Sequence, residues 1–246
     1  MTAQMVLPFL STVIMVFFTV SVLERYLARR KLHFLFWGIG LAMFGAGSFA
    51  EAYFAAAGWS APVFFVWYLL GAALNAGWIG HGTLLLLARR RWVHVFTALL
   101  VLGSLAATVL MVQMMPKLDV ARFNPALAIS EQYRDIMPSI ADGAYVRLAT
   151  PFFNIYGLVT LVGGALWSAW LFLRKQVLPN RVIGNGLIAA GALSIGLAST
   201  ATRLGYGQYL YLGELIATAL MYAGFRAAAA PATEAERRAA EAAQPA

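Results

Sequence analysis

The chain of 246 residues has no cysteine. Disulfides, thiolate metal sites and cysteine nucleophiles are excluded with it. Histidine is almost as scarce, with His33, His81 and His94 the only three. His33 and His94 fall at predicted helix ends, so no three-ligand zinc site can be assembled and no metal residue is assigned. A bis-histidine haem would need two imidazoles at one depth, and His81 has no such mate. Lysine is limited to Lys31, Lys117 and Lys175. The last apolar stretch, "QYLYLGELIATALMYAGF", has none, which excludes a retinal Schiff base. Walker and Rossmann fingerprints are missing too. Ser48 and His81 lie toward opposite ends of their helices, too far apart for a serine nucleophile and its base. The sequence therefore assigns no catalytic residue, no enzyme activity and no cofactor.

Charge itself is thin, at 11% of residues, where soluble domains carry about 25%. What fills the chain instead is hydrophobic sequence, 61% of residues, with a mean hydropathy of +0.74. Apolar runs recur along the whole length, without the short alternating segments of a membrane barrel. The pattern predicts an all-α, polytopic membrane protein, a seven-helix transmembrane bundle over residues 1–226 with a short tail, 227–246. The predicted spans are 7–27, 34–56, 62–88, 93–115, 148–173, 182–204 and 208–225. The N-terminus has no basic segment ahead of its apolar run, so it reads as a retained first span rather than a cleaved signal.

The short connections "RYLARRK", "ARRRW" and "LRKQVLPNR" and the segment after Arg226 hold most of the lysine and arginine. They alternate along the chain. The positive-inside rule then places the N-terminus outside and the C-terminus in the cytoplasm, in a bacterial inner membrane. The net charge of +8 follows from this asymmetry and is no sign of nucleic-acid binding. Residues 116–147 form a long external connection, in which "PALAISEQYRDIM" predicts a short amphipathic helix capping the outer surface. The tail "AAAAPATEAERRAAEAAQPA" reads as frayed or disordered.

Two internal echoes stand out. "GIGLAMFGAG" resembles "GNGLIAAGAL", and "WYLLGAALNAG" resembles "YLYLGELIATA". If they reflect duplication, spans one to three and five to seven are parallel repeats around span four, a 3+1+3 plan. Cheap repetition of glycine, alanine and leucine is the competing account.

Helices in lipid associate through small residues and interhelical hydrogen bonds. Steps of three and four along each span put nearly every polar residue on a small-residue stripe. These stripes are expected to face the bundle interior. Glu51, Asn154, Arg203 and Glu214 fall in the outer third, on four different spans. Asn75 falls near the middle, and His81 in the cytoplasmic half. An ionisable group inside a bilayer is expensive and marks function by default. The expected site is a Glu51–Arg203–Glu214 network with Asn154 and Asn75 lining it and His81 as an inner relay. The plainer alternatives are an ion-pair clamp at the outer end and a buried neutral histidine serving as interhelical glue.

The leading functional reading is a transporter-like or channel-like protein that binds or moves a small polar solute or protons. A non-catalytic subunit of a larger membrane complex is the second, and a seven-helix sensor with a separate signalling partner the third. The expected partners are the lipid bilayer and that solute, with a membrane-protein partner or a homo-oligomer under the second reading.

Overall fold

A computed structural model describes residues 3–88, 91–175 and 179–230. The side chains of Lys175, Pro179, Arg203 and Gln208 fall outside that description, as does the predicted disordered stretch from residue 231 onward. The described residues are helical, with no strand. We number the helices α1 (Ala3–Arg29), α2 (Leu32–Ala57), α3 (Ala61–Leu87), α4 (Trp92–Met114), α5 (Ile129–Ile136), α6 (Val146–Lys175), α7 (Pro179–Arg203) and α8 (Leu210–Ala229). Helices α1, α2, α3, α4, α6 and α7 are long and apolar enough to cross a membrane. The protein thus has the build of a multi-pass membrane protein. Helix α8, with 20 residues, carries Glu214 and Arg226 and is not one of the six.

Helices α1, α2, α3, α6, α7 and α8 form a closed ring in that order, α8 returning to pack on α1. Helix α4 lies outside the ring against α3 and α6. Its outward residues Leu99, Leu102, Leu105, Val109 and Val112 are all exposed, as suits a surface in contact with lipid tails. One end of the bundle carries Arg29, Arg30 and Lys31 and is called the basic end. The other carries the connection between α4 and α6 and is called the loop end.

Glycine sets how closely ring helices approach. A Cβ on Gly47 of α2 would fall 2.5 Å from Gly71 Cα on α3. Across the ring, Gly213 of α8 meets Ala198 of α7, and Gly191 meets Met221 and the Ala217 carbonyl. Without a hydrophobic drive between helices in lipid, such backbone contact is the main source of association. The turn between α2 and α3 depends on Gly58, at φ 80°, whose N–H closes the helix on the Phe54 carbonyl.

Helix α3 is not uniform. Its middle, Trp67–Leu74, is wound as a π-helix between α-helical arms Ala61–Val66 and Asn75–Leu87. The π geometry bonds i to i+5 and recurs at functional positions. The long connection between α4 and α6 is itself packed. Ile129, Ile136, Met137, Ala144 and Val146 join Phe64, Trp67, Met111 and Met114 in one core. Leu127, just before the short helix α5, is exposed.

Candidate functional site

Glu51 comes from the last turns of α2, four residues beyond Gly47, whose crossing draws α2 against α3. Glu214 comes from the first turns of α8. Both are buried, at 4% and 8% exposure. Their carboxyl groups meet within hydrogen-bonding reach of each other inside the loop end of the ring. The Glu51 Oε1 atom accepts a hydrogen bond of 3.0 Å from the Trp67 indole N–H. The Oε2 atoms of both acids meet no donor. A carboxylate only accepts hydrogen bonds, so contact between two carboxyls requires a proton on one of them or a bridging cation or water. Two carboxyls in contact can share one proton between them.

Tyr211 links this pair to solvent. It is buried at 4% exposure and stands close enough to Glu51, Glu214 and Glu131 to feel their charges, with its hydroxyl beside Ser130. It also lines a cleft of about 300 Å³ at the loop end, together with Gln4, Ala128, Glu131 and Gly207. Glu131 in the cleft wall, Tyr211 and the glutamate pair follow one another inward. Four buried hydroxyls among the described residues, those of Ser11, Thr19, Ser48 and Ser130, also have no hydrogen-bond partner. Ser48 lies one turn before Glu51.

Both asparagines serve the π segment. Asn75 Nδ2 donates to the Gly71 carbonyl. Asn154 Nδ2 reaches across from α6 to the Ala72 carbonyl at 3.1 Å. A wide turn leaves carbonyls without their usual partners, and inside a bilayer no water replaces them. These two amides therefore hold the turn that carries Trp67 to Glu51. Replacing both by leucine should bare two carbonyls and cost ~2–4 kcal/mol. Thermal unfolding of the detergent-purified double variant measures this, and an unchanged midpoint would deny the asparagines that role.

His81 lies elsewhere. It is fully buried between α3, α4 and α6. Its Nδ1 is 2.7 Å from the Tyr156 hydroxyl and its Nε2 2.8 Å from the Thr97 hydroxyl. Neither partner belongs to the glutamate group. Thr97 also donates to the Val93 carbonyl, so its proton is used and its oxygen is free to accept from Nε2–H. Tyr156 then donates to Nδ1. This arrangement ties the outlying α4 to the ring. His81→Leu should lose ~1–3 kcal/mol through the stranded Tyr156 hydroxyl. A variant as stable as wild type would show that α4 docks without it.

Of the six residues expected to form the site, the structure brings Glu51 and Glu214 together. It sets Asn75 and Asn154 behind them at the π turn and His81 apart on the other side of α3. Arg203 ends α7 at the same end of the bundle, and its side chain lies outside the described residues. Two further residues of the site, Trp67 and Tyr211, are not among those expected from the sequence. Tyr211 carried a signal, since it precedes Glu214 by three residues on the same stripe. Trp67 carried none, because its aim depends on the π turn. Among the described residues, no group of three or more metal-ligating side chains occurs.

No family model matches the chain, nor does any curated protein or solved structure. The function must be argued from the geometry alone.

Proposed function

We propose that the protein binds protons or a small cationic solute at the Glu51–Glu214 pair and moves them across a membrane. The observation that carries this reading is two buried carboxyls from α2 and α8, each with an oxygen facing no donor, behind a tyrosine that lines a cleft beside Glu131. A purely structural acid would be expected to have its oxygens satisfied. Arg203 joins the site as a counter-charge that sets how many positive charges the pair can take up. Asn75 and Asn154 hold the lining, and His81 remains the candidate for a relay toward the basic end.

The reading includes a topology. Counting α8, the chain crosses seven times, the N-terminus and the cleft outside and the C-terminus in the cytoplasm of an inner membrane. The support is the arginine and lysine of the alternate connections. The repeat belongs to the same proposal. Exchange of α1, α2 and α3 with α6, α7 and α8 maps the ring's neighbours onto themselves. The crossings agree as well. Gly40 meets Ile79 and the Asn75 carbonyl as Gly191 meets Met221 and the Ala217 carbonyl, and Gly47 meets Gly71 as Ala198 meets Gly213. This register pairs Gly40 with Gly191, whereas the textual echo paired it with Gly186. For α3 and α8 the echo and the crossings agree.

The test is flux into liposomes carrying the purified protein. Internal pH and cation uptake are followed for wild type, Glu51→Gln and Glu214→Gln. Unchanged flux in both variants would remove the pair from any pathway and leave the acids as a structural clamp.

A further inference from the structure

A second cavity occupies the opposite half of the ring. It measures about 70 Å³, where one water needs about 10–15 Å³ on the same measure. All six ring helices line it, through Phe18, Trp37, Thr83, Ser168, Asn185 and Phe225 among others. The wall is mostly apolar, and its few polar groups are not spread evenly. Ser168 and Asn185 sit toward the basic end of their helices, while Phe18 and the neighbouring aliphatic side chains close the deeper part. Thr83 accepts a hydrogen bond from the Trp37 indole at 3.2 Å, which leaves the hydroxyl proton of Thr83 free to donate. Above this wall lies positive charge. The Arg25 guanidinium sits 4.6 Å over the Phe225 ring, and Arg29 and Arg226 stand close enough to act on it electrostatically. Glu24, next in sequence, is exposed and forms no ion pair with any of them. The only ion pair among the described residues is Asp119–Arg122, at the far end.

We infer that this cavity binds a single-chain anionic amphiphile, with its alkyl chain among the ring helices and its carboxylate or phosphate on the Arg25–Arg29–Arg226 group. Arginine suits such a head group because its fork of N–H donors matches two anionic oxygens. The apolar depth suits a chain and rejects a free inorganic anion, which would have to shed its water there. A hydrated cation is turned away by the three like charges. The site is separate from the glutamate pair, so the inference stands or falls independently of the transport reading.

Trp37 provides the readout, since a bromine on the bound chain would quench its fluorescence. The full-length protein in a neutral detergent is titrated with a terminally brominated dodecanoate and, in parallel, with the equivalent neutral alcohol. The expected result is saturable quenching by the anion that disappears in Trp37→Phe. Affinity should fall roughly tenfold or more in Arg25→Gln/Arg226→Gln and be lost in Ser168→Leu, whose side chain fills the cavity. Equal binding of the neutral alcohol, quenching that survives Trp37→Phe, or an unaltered Ser168→Leu would each overturn the proposal. A bilayer arm separates the sources. Quenching of Trp37 by a brominated anionic phospholipid in nanodiscs, with none by the free acid, would assign the groove to membrane lipid and overturn the proposal as well.

Discussion

Liposomes carrying Glu51→Gln should pass protons or small cations at least ~100-fold more slowly than wild type, the low end of what a positioned proton-transfer group contributes. The fold should survive. A glutamine at 51 keeps an oxygen for the Trp67 indole and offers an N–H to Glu214, so both contacts of the native side chain are retained. Only the exchangeable charge is gone. Glu214→Gln should behave alike, and the double variant should be no worse than either single one, because two members of one device are not additive. Glu51→Ala is the informative contrast. It strands the buried indole N–H, which costs ~1–3 kcal/mol, and should lower the unfolding midpoint as well as the flux. Slow flux in the alanine variant beside normal flux in the glutamine variants would mean that shape rather than charge matters at this position.

Gly47→Leu should be among the most damaging single replacements in the bundle. Its first side-chain carbon would already fall 2.5 Å from Gly71 Cα, and what it meets is backbone, with no flexible tip to move aside. Overpacking a core costs ~1–3 kcal/mol when neighbours can adjust. Here α2 and α3 must separate along their whole length, and Glu51 moves with α2, so the loss should lie at or above the upper end. Gly47→Ala should be intermediate. Thermal unfolding and gel filtration in detergent check the order. A leucine variant with a wild-type midpoint would mean that the two helices are free to part.

Much of this was legible in the residues. Apolar runs and their basic punctuation marked the long helices, because a chain in lipid must bond its own backbone and has little choice but helix. The stripes on α2 and α8 also read through, since Gly40, Phe44, Gly47 and Glu51 are all buried, as are Tyr211, Glu214, Thr218 and Met221. Steps of three and four hold in an unbroken α-helix. On α3 they fail. A stripe carried from Gly71 through Asn75 and Trp78 assumes one winding, and the segment Trp67–Leu74 has another. The partners of His81, on α4 and α6, depend on where α4 docks, and no local pattern in the sequence encodes that.

In a regular helix, 100° per residue would bring Trp67 and His81 to within about 40° of each other. The looser winding between them lags a little at each residue, and across the segment the lag grows to a large fraction of a turn. One rod can therefore offer its tryptophan to a carboxyl on one flank and its imidazole to an outlying helix on another. Tightened to ordinary pitch, it would swing the indole away from Glu51 while leaving the imidazole where it is. The occupancy of a single contact at one end of the molecule is thus geared to the pitch of eight residues in the middle of α3.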